Sequence, residues 1–167
     1  ACVAVPLPAE QQRPLLLKLG ADETAAQALT EHMAGAAGLC WYADSRLYTP
    51  LLVASLKDED SASLDGELGS LFGSMVGAYE GKVDEHVFPV IEKQQGDNRQ
   101  WQRQVSSRFG PYAAKDAANP DAITGQAFMN VSLARHGSTL LFSLDDKLLD
   151  KALGTLDKRF PPMADVV

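Results

Sequence analysis

The segment from about residue 62 to residue 80 constrains the fold more than any other part of the chain. Leu64, Leu68, Leu71, Phe72, Met75, Val76 and Tyr79 recur at the i, i+3, i+4, i+7 spacing of one helical face. Gly66, Gly69, Gly73 and Gly77 fall on nearly the opposite side at about 100° per residue. Four interior glycines cost a helix roughly 3–4 kcal/mol relative to alanine. Close approach of another backbone to the glycine side is the expected compensation, so the segment is expected to be a central helix packed on both faces. Gly69, Gly73 and Gly77 also match the small-residue ridge by which membrane helices associate. The apolar run is too short to span a bilayer, and Asp65, Glu67 and Glu80 bracket it. Soluble helix packing is therefore expected, with self-association through this ridge as the rival.

The rest of the chain carries the same helical signature. Ala occurs 23 times and Leu 22 times, whereas Ile occurs only at 91 and 123. Straight-chain residues and Ala favour helices, and strands draw on β-branched residues. Asp22 suits a helix cap, with Ala25, Ala28, Leu29, Met33 and Ala36 on one face to about Ala37 and Gly38 as the stop. Leu47–Leu56 reads as helical from near Pro50, and 83–94 as a further helix interrupted at Pro89. Residues 97–112 read as a polar helix with Trp101, Val105 and Phe109 four apart. Asn119-Pro120-Asp121 signals another start. From Ser138 or Ser143 a last amphipathic helix runs with Leu144, Leu148, Leu149, Ala152, Leu153 and Leu156 on its face.

These signals predict a mainly α fold: a single domain, 14–167, of about five to seven helices around the 62–80 helix, preceded by a Pro-rich arm or linker at 1–13. The alternative is an α+β domain. Met129–Leu133 alternates, His136-Gly137 suits a turn and 139–144 suits a return strand, giving a C-terminal hairpin at 128–144 followed by a helix.

The 46% apolar and 22% charged content suits a folded domain. A formal net charge of −7 weighs against non-specific nucleic-acid binding and against docking on an anionic membrane by charge. The chain begins Ala1-Cys2 without an initiator Met. That start reads as a processed leader, and Ala1-Cys2 resembles the end of a bacterial lipoprotein signal. A periplasmic or extracellular location follows as the expectation, with a lipid on Cys2 as the one route to membrane anchoring. Cys2 and Cys40 are the two cysteines. They are either paired, independent with Cys2 lipidated, or free. A pair would add roughly 4 kcal/mol in the chain-entropy model.

Catalytic motifs are missing. No Cys-x-x-Cys, Ser-x-x-Lys of the β-lactamase kind, Gly-x-Ser-x-Gly, Walker loop or dinucleotide fingerprint occurs. His32, His86 and His136 stand in no ligand spacing, and Asp84-Glu85-His86 diverge on a helix, so no metal and no cofactor are predicted. Asp145-Asp146 and the acids at 58–60 suit helix N-termini, where the dipole favours them.

Arg99, Arg103 and Arg108 form the most partner-like group. Arg99 and Arg103 share a helical face, with Trp101 about 200° away from Arg99 and turned to the core. The function expected is therefore an exported, non-enzymatic binding or accessory protein that contacts another exported protein, such as an immunity-type or complex-assembly partner. One alternative is an α-helical carrier of a small apolar ligand or pigment in a pocket lined by Phe72, Met75 and Phe128. The other is an enzyme whose residues meet only in the fold.

Overall fold

A computed structural model describes residues 2–18, 21–43, 49–57, 62–80, 89–107 and 127–158. Its frame is a seven-stranded sheet rather than a helical bundle. The strands are β1 (Cys2–Pro6), β2 (Met33–Cys40), β3 (Leu51–Leu56), β4 (Ile91–Gln95), β5 (Asn98–Ser107), β6 (Ala127–His136) and β7 (Thr139–Ser143). Every neighbouring pair is antiparallel, in the order β1-β2-β3-β7-β6-β5-β4. The helices are α1 (Ala9–Lys18), α2 (Glu23–His32), α3 (Ala62–Glu80) and α4 (Asp146–Leu156).

Two apolar clusters divide the molecule into three layers. Leu16, Ala26, Leu29, Leu64, Leu68, Leu71, Phe72 and Val76 bring α1, α2 and α3 onto one face of the sheet, against Leu56, Trp101, Val105, Val131 and Leu133. Leu148, Leu149, Ala152 and Leu153 bring α4 onto the other face, against Leu51, Ala134 and Leu141. Strand residues alternate between these faces as the pleat requires.

The mainly α expectation is thus overturned, and so is the central position of the 62–80 helix. α3 spans the expected residues, but it lies on one face of the sheet and packs against α2 and β5. Burial of Leu64, Leu68, Leu71, Phe72 and Val76 contributes on the order of 10 kcal/mol at about 2 kcal/mol per side chain. That exceeds the roughly 3–4 kcal/mol cost of the four glycines, so the helix holds with packing on one side.

Other segments change type. The Asp22-capped helix forms, with Asp22 Oδ1 accepting from the Ala25 amide at 2.8 Å. It stops at His32, where Met33 turns extended. Gly35 at φ +79° and a register shift between Met33 and Ala37 then mark a bulge at the start of β2. Residues 51–56 form β3, and 98–107, expected as helix, form β5. The expected helix at 83–94 is replaced by β4 where the residues are described, and the one after Asn119 by β6. The start signal at 119–121, the acids at 58–60 and Asp84-Glu85-His86 lie outside the described residues. The α+β alternative comes closer. His136 pairs with Thr139 across a turn at Gly137 (φ +54°), and α4 follows, capped by Asp145. That reading left β1 to β5 unread. Residues 2–6, expected in an arm, are an edge strand, and α1 carries Pro14 inside it.

Candidate functional site

Cross-strand register produces one feature that spans nearly the whole sheet. On the face that carries α3, Val3 pairs with Leu39, Leu39 with Leu52, Leu52 with Phe142, Phe142 with Leu133, and Leu133 with Trp101. Six apolar side chains from six adjacent strands therefore stand in a row. Exposure along it is graded. Trp101 is 3% exposed and Leu133 4%, both in the cluster beneath α3, whereas Leu52 is 37% and Val3 56% exposed. Val5, one pleat along on the same face, is 39% exposed and pairs with Ala37. Among the described residues, helices cover one end of the row and leave the other open. A contiguous exposed apolar patch of this kind marks an interaction surface more often than a lone exposed Leu does.

The polar groups of the opposite face are joints between α4 and the sheet. At the N-terminal end, the Asp146 carboxylate accepts from Gln102 Nε2 at 3.0 Å, Ser132 Oγ at 3.1 Å and Asn130 Nδ2. Three donors occupy its lone pairs, which leaves little capacity to act as a base or nucleophile. Beside it, Asp145 Oδ1 caps the Lys147 and Leu148 amides. At the far end, Asn98 Nδ2 donates to both carboxylate oxygens of Asp157, at 3.2 and 3.1 Å. That contact fixes the Asn98 amide so that its Oδ1 faces His136 Nδ1 at 2.8 Å, and Nδ1 carries the proton. Between these polar ends the interface is apolar, through Leu141 and Ala134.

A third cluster lies under α3. Asp65 receives Arg135 Nε at 2.6 Å and Nη2 at 2.9 Å in a bidentate pair, and Arg99 Nε approaches at 3.4 Å. Arg99 also donates to Glu92 at 3.0 Å. Arg99 and Arg103 do share a side, but as residues of β5, and Trp101 lies between them on that same side rather than opposite. Arg99 is engaged by two carboxylates, and Arg103 is 6% exposed. Arg108 lies outside the described residues.

The remaining expected sites are dispersed. Phe72 is buried within the cluster under α3 and Met75 packs against it, while Phe128 is placed on β6 by its pairing with Ser106. Of the expected glycine ridge, Gly69 meets the Trp101 side chain, Gly73 meets no atom within 4 Å, and Gly77 lies in the last turn of α3. Cys2 and Cys40 form a disulfide. The sulfur of Cys2 is then committed, so a lipid cannot occupy it in this state. Among the described residues no group of three or more His, Cys, Asp or Glu side chains is placed to hold a metal. None of the described helices is long and apolar enough to cross a membrane.

Reasoning from the sequence missed the apolar row, because it is a property of strand register. The signal within reach was the alternation of Arg99, Trp101, Arg103 and Val105 with Gln100, Gln102 and Gln104.

Fold and site together define a three-layer antiparallel α+β domain whose sheet, among the described residues, is helix-covered at one end and open at the other. The chain belongs to the bacterial family described as "Uncharacterized protein conserved in bacteria (DUF2138)", matched across residues 1–167. It is 44% identical over 167 residues to the "Uncharacterized protein YfaA" of Escherichia coli (strain K12). The match covers 99% of this chain and 29% of that protein, so the chain spans less than a third of this relative's length. No solved structure matches the chain.

Proposed function

We propose that this chain is a docking domain of an exported bacterial protein, and that it binds an amphipathic helix of another polypeptide through the open end of its apolar row. The observation that carries the reading is the graded exposure from Trp101 and Leu133 to Leu52 and Val3 along one row. At the buried end the occupant is α3, itself an amphipathic helix, so the row already displays the chemistry that fits it. A second helix laid beside it would continue the layer at ordinary helix-on-sheet packing. The Cys2–Cys40 disulfide supports the exported location, since such bonds persist in oxidising compartments.

The test is a photo-crosslinking side chain at position 52, compared with one at exposed Lys147 on the α4 face. Adducts at 52 that map by mass spectrometry to one apolar helical segment, that are missing at 147 and that are lost with Val3→Asp, support the reading. Equal adducts at both positions, or none at either, overturn it.

A second reading draws on the same surface. A small apolar ligand would find the same uncovered side chains, with Phe72 and Met75 in the adjoining layer. Titration of the purified chain with a medium-chain fatty acid separates the two. Saturable binding abolished by Leu52→Asp favours carriage, and no binding favours the polypeptide partner.

A further inference from the structure

We propose that the Cys2–Cys40 disulfide is a releasable clasp on β1, and that the β2 edge beneath it accepts an extended, uncharged polypeptide strand when the clasp opens. Every residue of β1 is exposed, and none of Cys2–Pro6 belongs to either apolar cluster. Among the described residues the strand is held by its ladder to β2 and by a tie at each end. At one end is the disulfide, which joins Cα partners of the ladder. At the other, the Leu7 amide donates to the Gly35 carbonyl at 3.2 Å and Gln12 Nε2 donates to the Leu7 carbonyl at 2.9 Å. Pro6 and Pro8 flank Leu7, so the second tie sits in a stiff segment of fixed φ that holds the β1–α1 junction in place while the Cys2 end opens.

Opening is local by construction, because the layers on both faces of the sheet are assembled without β1. Cys2 is exposed, so the bond is open to attack by a dithiol reductant. Its thiolate attacks one sulfur, forms a mixed disulfide and expels the other cysteine as a thiolate. The reductant's second thiolate then closes its own disulfide and expels the first cysteine. Two electrons pass to the protein, and both cysteines take up protons.

The edge so uncovered runs Ala36-Ala37-Gly38-Leu39-Cys40 and carries no charge. Its native occupant, Cys-Val-Ala-Val-Pro, is equally uncharged and shows the chemistry that fits. The opposite edge of the sheet differs. β4 carries Glu92 and Lys93, the kind of charge that keeps a strand edge from pairing with strangers.

Hydrogen exchange followed by mass spectrometry on the oxidised and the phosphine-reduced chain is the test. The amides of Val3, Val5, Ala37 and Leu39, which point across the β1–β2 ladder in phase with Leu7 and Gly35, are expected to exchange at least about tenfold faster after reduction, with β5 and β6 unchanged. Unchanged protection in β1, or loss of protection throughout the sheet, overturns the proposal. The acceptor is probed with the synthetic peptide Ala-Cys-Val-Ala-Val-Pro-Leu-Pro. On reoxidation of the reduced chain it is expected to join Cys40 in higher yield than the same peptide with lysine at both valines. Equal yields overturn the acceptor.

Discussion

An alanine methyl at Gly69 would stand 2.9 Å from the indole Nε1 of Trp101. The glycine of α3 is thereby matched to the largest side chain of the row on the sheet beneath it. Trp101 is buried and cannot swing away, so Gly69→Ala sets about 1 kcal/mol of helix propensity gained against about 1–3 kcal/mol of overpacking. A net loss of about 1 kcal/mol is expected, lowering Tm by roughly 2–4 °C for a domain of this size. Gly73 has nothing within 4 Å of the same position, so Gly73→Ala should gain the propensity alone and raise Tm by roughly 2–4 °C. Thermal melts of the two variants check the pair. Equal shifts would remove the close approach as the reason for glycine at 69.

The Asp146 joint predicts a stability effect without a packing defect. Asp146→Ala deletes one carboxylate and strands the donors of Gln102, Asn130 and Ser132, with Ser132 fully buried. Hydrogen bonds to a charged group contribute about 1.5–3 kcal/mol each and are not additive, so a loss of about 2–3 kcal/mol is expected. In urea the midpoint should fall with an unchanged slope, since the apolar surface of α4 stays buried. Asp146→Asn should recover part of the loss.

Two ion pairs set the scale for charge in this fold. Asp65 and Arg135 have side chains 12% and 9% exposed, whereas Arg13 and Glu23 are 50% and 66% exposed. Removing one member of a buried pair leaves the other charge desolvated, so Asp65→Ala is expected to cost about 3 kcal/mol. Glu23→Ala is expected to cost less than about 0.5 kcal/mol, because water screens the pair. Denaturation at low and high salt checks both, with the Asp65 effect persisting in high salt. A comparable loss in the two variants would mean that burial does not govern the Asp65 contact.

What the sequence disclosed follows from where one physical term dominates. The α3 stripe was legible because its apolar residues satisfy the helical period over five turns and no strand could bury them. The α4 stripe was legible for the same reason, with Asp145 as an explicit cap. β5 was misread because a spacing of four fits both periods. Trp101, Val105 and Phe109 share a helix face, and residues four apart also share a strand face. β2 was misread because Met-Ala-Gly-Ala-Ala-Gly-Leu-Cys has weak strand propensity. It is a strand because β1 and β3 supply its ladders on both sides, a tertiary fact that local propensity does not contain. The candidate surface was illegible for a related reason, since Val3, Leu39 and Leu52 become neighbours only through register.

That register yields the last prediction, which sets Leu133 against Leu52 in the same row. Leu133 is 4% exposed beneath α3, and Leu133→Ala is expected to cost about 3 kcal/mol through lost burial and the cavity left behind. Leu52 is 37% exposed, and Leu52→Thr introduces a β-branched strand former, so a loss of less than about 1 kcal/mol is expected. If folding were the sole demand on the row, the two sites would differ only in the size of their effect on stability. A docking surface adds a second demand. Leu52→Thr should then abolish crosslinking from a probe at position 39, the next residue of the row, while the chain stays folded with its disulfide formed. Leu133→Val should perturb stability and leave the crosslink intact. Crosslinking that tracks stability across both variants would assign the exposed end of the row to folding alone.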